Sequence, residues 1–204
     1  MHPELSFDQA PSIGVPFRFF LTAPWFGVGA GALLLLVGPD ALASRWTAYT
    51  LAFTHCLVLG VMLQAMTGAL FQFVPVAAGG NLWRASTVAA IVHPGLVLGT
   101  FCLLAGFLLP SPFLLALSAV VMAVAGGLFI AVLGRALWAT PARGPAVANL
   151  RGAGFALAVT FTLGVLLAAA LGGGLSLPLV DLTQVHLAWG LGGWALLLLA
   201  GVSS

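Results

Sequence analysis

Six stretches of this chain run for about 20 residues or more with almost no charged side chain, and that feature decides what the chain can fold into. A helix needs about 20 apolar residues, at about 1.5 Å each, to cross roughly 30 Å of hydrocarbon. The stretches are 19–38, 46–76, 85–109, 113–137, 150–172 and 182–202. Turn-forming groups separate them: Gly38-Pro39-Asp40, Gly79-Gly80-Asn81, Pro110-Ser111-Pro112, Pro141 to Pro145 and Gly172-Gly173-Gly174. The third break is so short that spans three and four must form a tight hairpin. Span two is longer than a crossing requires, which predicts tilt or extension beyond the bilayer.

Charged residues make up 5% of the chain, against about 25% in soluble domains. The six basic residues are all Arg, and five of them (Arg18, Arg84, Arg135, Arg143 and Arg151) fall on one side of the six-span pattern. Only Arg45 falls on the other. The positive-inside rule then places both termini in the cytoplasm of a bacterial inner-membrane protein. Trp25, Trp46, Trp83, Trp138 and Trp189 near the span ends fit an aromatic belt. The expected architecture is therefore all-α: a short cytoplasmic segment, 1–18, and a six-helix transmembrane domain, 19–204, with the lipid bilayer as its main partner. Span one has Glu4 and Asp8 before Arg18 and no clear small-residue cleavage site after it, so it reads as a retained span rather than a signal peptide. The net charge of +2, without a basic cluster or aromatic RNA motif, argues against nucleic acid.

Gly27 and Gly31 on span one form a GxxxG, and Gly152, Ala156 and Gly164 recur on span five. Both sets predict close helix approach. Cys56 and Cys102 lie in apolar segments and make no CxxC motif. Nucleotide-loop, GxSxG and HExxH motifs are absent, and no acidic residue lies mid-span.

Three histidines lie inside spans, where ionisable groups are functional candidates by default. His55 and His186 sit at similar depth on the side opposite the Arg cluster, whereas His93 is near the Arg-rich side and precedes Pro94. Pro94 cannot donate to the Ala90 carbonyl, which offers His93 a nearby acceptor. At about 100° per residue, Leu59, Met62 and Met66 share the face of His55, with Gln64, Gly68, Phe71 and Pro75 opposite. Met62 is about 10 Å along the axis from His55, too far to join it on one metal. Below His186, Gly190, Gly193 and Gly201 form a strip without side chains that suits either a flat cofactor or a neighbouring helix. Neutral imidazole is an axial ligand for haem iron and a ligand for copper.

A weak internal echo runs through the spans. Gly60 and Gly68 follow His55 at an interval of eight, Gly99 and Gly106 follow His93 at an interval of seven, and Gly193 and Gly201 follow His186 at an interval of eight.

The segment Pro16-Phe17-Arg18-Phe19-Phe20-Leu21 resembles the FRPFFL-like start of the NnrS family. The stretch from Thr54-His55 through Gly68 to Pro75 resembles that family's second span, and His186 through Trp194 resembles an HxHxxxxGW-like span. Phe53 and Ala188 stand where further histidines would be expected. The resemblance implies a relative of haem-copper oxidase subunit I, with a possible oxidoreductase-like role linked to nitric oxide stress. It implies haem b, with copper as a second possibility. The implied site comprises His55, His186, His93, Gly190, Gly193 and Met62, with His55 and His186 as metal ligands. Such proteins usually have about twelve spans, so the resemblance implies an N-terminal half, or a compact relative completed by a homodimer. Two other readings stand beside it. One is a permease or channel lined by Gln64, Thr67, Gln72 and Gln184, and the other is a structural membrane partner subunit.

Overall fold

The structure is a computed structural model that describes residues 10–204. Six helices long and apolar enough to cross a membrane account for most of them, and no strand occurs among the described residues. They are α1 (Gly14–Val37), prolonged by a 3₁₀ segment Gly38–Leu42; α2 (Ala48–Ala77); α3 (Ala85–Leu108); α4 (Pro112–Ala139); α5 (Pro145–Leu171); and α6 (Leu179–Val202). This is a multi-pass membrane architecture. Leu35 and Leu36 on α1 are 88% and 86% exposed, a placement for large aliphatic side chains that suits lipid rather than water.

Several helices outrun the apolar stretches that mark them. α1 begins at Gly14 rather than residue 19, taking Pro16 into its first turn, where a proline's missing N–H breaks no helical bond. α5 begins at Pro145 rather than residue 150 for the same reason. Segment 1–18 is thus partly helical, and its residues 1–9 lie outside the described residues.

Neighbouring helices pack as antiparallel pairs by setting bulky side chains into glycine notches. Phe26 and Phe19 of α1 fill the notches at Gly60 and Gly68 of α2. Met122 and Leu115 of α4 fill those at Gly99 and Gly106 of α3. Ala156 and Leu150 of α5 fill those at Gly193 and Gly201 of α6. The GxxxG of α1 plays no such part within the chain. A Cβ on Gly31 would meet nothing within 4 Å, and one on Gly27 would make only ordinary contact with Val61. Gly152, Gly164 and Ala156, in contrast, all face α6.

Two helices are not α-helical throughout. α2 is π-helical over Cys56–Leu63 and α6 over Trp189–Ala195. A turn closed by i→i+5 bonds takes up about one residue more than an α turn. One such turn followed by an α turn then holds about eight residues, against about seven in two α turns. Gly60–Gly68 and Gly193–Gly201 each begin inside such a segment and end in the α-helix that follows, and Gly99–Gly106 lies in unbroken α-helix. The intervals of the sequence echo therefore follow helix type. Face assignments that assume 100° per residue fail across Cys56–Leu63, so Met62 does not share the His55 face as the α-helical reckoning predicts. The stripe beyond it survives, because Gln64, Gly68, Phe71 and Pro75 are all buried.

A Cβ at Gly60 would collide with the Cβ and ring of Phe26, whereas one at Gly127 would meet nothing. Gly60→Ala should lower stability by about 1–3 kcal/mol. Gly127→Ala should leave it unchanged or raise it by up to about 1 kcal/mol. Reversible unfolding in mixed micelles measures both.

Candidate functional site

His55 and His186 each lie about two turns into a helix that starts at the Asp40–Asp181 end of the bundle. His55 Nδ1 is 2.8 Å from the Leu51 carbonyl oxygen, one turn back on α2. His186 Nδ1 is 3.1 Å from the Thr160 carbonyl oxygen on α5. A carbonyl oxygen only accepts, so in each ring Nδ1 carries the proton and Nε2 is left with a lone pair. Neither Nε2 has a hydrogen-bond partner among the described residues.

Each ring is held in place by what packs on it. The His55 ring lies 5.4 Å from that of Phe107 at the end of α3. Phe107 belongs to an apolar cluster built from Ala52, Leu103, Leu115, Ala119 and Ala168, so four helices converge beside His55. His186 rests on Gly164 of α5: a Cβ there would stand 3.0 Å from the ring's Cε1. The glycine that reads in sequence as generic packing is thus the seat of an imidazole. A groove of about 310 Å³ lined by Ala116, Ala119, Val165 and Ala169 opens between α4 and α5 at the same end. Ala119, Val165 and Ala169 also belong to the cluster beside His55.

His93 is placed differently. Thr22 Oγ1 donates to the Arg18 carbonyl at 2.8 Å, which uses its only proton. The 2.8 Å contact between His93 Nε2 and Thr22 Oγ1 therefore has the imidazole as donor. Phe19 meets the ring edge-on at 5.0 Å. His93 joins α3 to α1 in the Arg-rich half of the bundle and does not come together with His55 and His186. Its partner is Thr22, not the Ala90 carbonyl that Pro94 leaves free.

The glycine strip of α6 takes a helix. A Cβ on Gly190 would come within 3.3 Å of Thr160, and one on Gly193 within 2.8 Å of Ala156, so α5 covers both. Met62 is half-buried against the main apolar core. Gln64 and Thr67 are fully buried, and neither amide atom of Gln64 nor the Thr67 hydroxyl has a partner. Gln184 is far from them in the fold, at the Asp40–Asp181 end; with its amide oxygen facing Arg45, it accepts from that guanidinium at 2.7 and 2.9 Å. Gln184 therefore does not share a path with Gln64 and Thr67. No group of three or more His, Cys, Asp or Glu side chains gathers as a metal site among the described residues.

The signal missing from the sequence is the partner of each imidazole. Leu51 is legible, being i−4 of His55 on the same helix. Thr22, Thr160 and Gly164 lie on other helices, and only the packing selects them. No protein-family model, curated protein or solved structure matches the chain.

Combining His93→Phe with Thr22→Val in a double-mutant cycle should show a coupling of about 0.5–1.5 kcal/mol in mixed-micelle unfolding. The same cycle between His93 and Thr160 should show none.

Proposed function

We propose that the protein is a haem-binding integral membrane protein with an electron-transfer or redox role, and that His55 and His186 are its axial ligands. One observation carries the reading: both imidazoles are fixed through Nδ1–H to a backbone carbonyl and keep Nε2 free. Orienting a ligating imidazole by a hydrogen bond from its other nitrogen is the usual second layer of a metal site. The donor set fits haem b, which when bound supplies a one-electron couple. The chain's own residues do the rest. Leu51 and Thr160 fix the tautomer and aim of each ring, Gly164 leaves space for the His186 ring, and Phe107 with its cluster keeps the surroundings apolar. Copper remains the second metal reading for the same two nitrogens. A role in the nitric oxide response follows from the NnrS resemblance.

We also propose that the Arg-rich end faces the cytoplasm, with the protein in a bacterial inner membrane. Arg18, Arg84, Arg135, Arg143 and Arg151 belong to that end and Arg45 to the other, which supports the orientation.

The unpartnered Gln64 and Thr67 favour a second reading, a permease. A buried amide without partners is costly unless something polar meets it, and a passing solute is one candidate.

Purified protein should show a Soret band that His55→Ala and His186→Ala each shift or abolish and that His93→Ala leaves in place. No Soret band in wild type, or an unchanged one in the His55→Ala/His186→Ala double variant, sinks the haem reading. A membrane-impermeant thiol reagent applied to intact cells should label Ser44→Cys and spare Ala142→Cys. The opposite pattern inverts the proposed orientation.

A further inference from the structure

At the Arg-rich end, the link between α2 and α3 folds against the C-terminal end of α4 and leaves a crevice of about 190 Å³. Gly79, Asn81 and Trp83 line one wall, and Arg135, Thr140 and Pro141 the other.

The walls are locked together. Thr140 Oγ1 donates to the Ala78 carbonyl at 2.6 Å, and that hydroxyl in turn accepts from the Ala142 N–H at 3.3 Å. Gly80 lies so close to Ala136 that an added Cβ would stand 3.1 Å from its carbonyl oxygen. A crevice held this way needs little rearrangement to accept a ligand, which lowers the ordering penalty of binding.

The cations of this end are in different states. Arg143 donates to the Thr140 and Ala142 carbonyls, and Arg151 to those of Leu137 and Thr140. Both are tied to backbone oxygens at the end of α4. Arg135 is exposed and has no hydrogen bond or ion pair among the described residues, yet it lines the crevice. Trp83 is 49% exposed beside it, with the Arg84 guanidinium 5.5 Å from its ring. Tryptophan at a span end sits at headgroup depth. The crevice therefore combines a free guanidinium, an amide and an indole at the level where lipid phosphates lie.

We infer that this crevice is a binding site for the phosphate headgroup of an anionic phospholipid. Arg135 offers its planar fork to the phosphate, Asn81 adds a donor, and Trp83 packs against the glycerol and upper acyl region. A zwitterionic lipid presents the same phosphate with a cation attached, so Arg135 should discriminate against it. The site is independent of the haem reading, since it lies at the other end of the bundle from His55 and His186.

The test is native mass spectrometry of the detergent-purified full chain with phosphatidylglycerol or phosphatidylcholine. Phosphatidylglycerol should bind at least about fivefold more tightly, the effect of one basic side chain near a lipid surface. Arg135→Gln should remove the preference, while Arg135→Lys and Arg143→Gln should keep it. Equal binding of the two lipids overturns the inference, as does a preference that survives Arg135→Gln. Inorganic phosphate is the second arm: if an excess of it displaces phosphatidylglycerol completely, the site takes a free anion and the lipid assignment fails. The acids Glu4 and Asp8 lie outside the described residues. A preference seen only in a Glu4→Gln/Asp8→Asn variant would mean that the chain's own acids fill the crevice, which also overturns it.

Discussion

Close contact between antiparallel helices, bulky side chain against glycine, is the interaction on which the rest of this structure depends. In lipid there is no hydrophobic gain from pressing one apolar helix on another, so association rests on van der Waals fit and a few polar contacts. The individual atom pairs are weak, and only close approach over many of them makes a stable interface. Phe19 and Phe26 in the notches of α2, Met122 and Leu115 in those of α3, and Ala156 in that of α6 supply this fit. Each pair of notches lies two turns apart on its helix. The fit is therefore sensitive to helix register, and the π-helical segments of α2 and α6 are part of it: an extra residue per two turns would rotate one notch off its knob if the helix were α throughout.

Polar side chains are handled within this frame by the backbone. Thr100 donates to the Leu96 carbonyl, Ser118 to Gly99 and Thr160 to Ala156, and Cys56 reaches the Phe26 carbonyl on the neighbouring helix. Small hydroxyl groups are satisfied at no cost in volume this way. Gln64, Thr67, the Gln72 amide oxygen and the Trp194 indole are exceptions, buried without partners. They fall along the same two helices that carry the π segments, and in α2 the unpartnered amide begins the turn after the π segment ends. Irregular helix and unmet polarity thus coincide in α2 and α6, whereas α3 and α4, regular throughout, hold no unpartnered buried side-chain polar atom among the described residues.

The coarse fold was readable from residue types because lipid imposes one rule on every span: about 20 apolar residues and all backbone bonds internal. Helix ends were less readable. Pro16 and Pro145 look like breakers in a string of letters, yet the first helical turn accepts them. Motif spacing misled at Gly27 and Gly31, because a GxxxG says that close approach is allowed and not that a helix is there to approach. The repeating glycine intervals carried more information than they seemed to. Eight against seven distinguishes π from α, but reading it requires knowing which knobs the notches face.

The three histidines show why site chemistry was the least legible layer. All three are flanked by similar residues, and each is followed by a glycine run at helical spacing. What separates them is the nitrogen that the fold consumes. A carbonyl on α2 takes Nδ1–H of His55, and one on α5 takes that of His186; a threonine on α1 takes Nε2–H of His93. The first two rings keep the outward-pointing nitrogen that commonly binds metals, and the third has it committed to a helix contact. For His186 and His93 the difference arises from which helix packs beside the ring, and therefore from the glycine notches that set the helices in register, whereas His55 takes its carbonyl from its own helix. Candidate chemistry at one end of the bundle and structural bonding at the other are two results of the same packing.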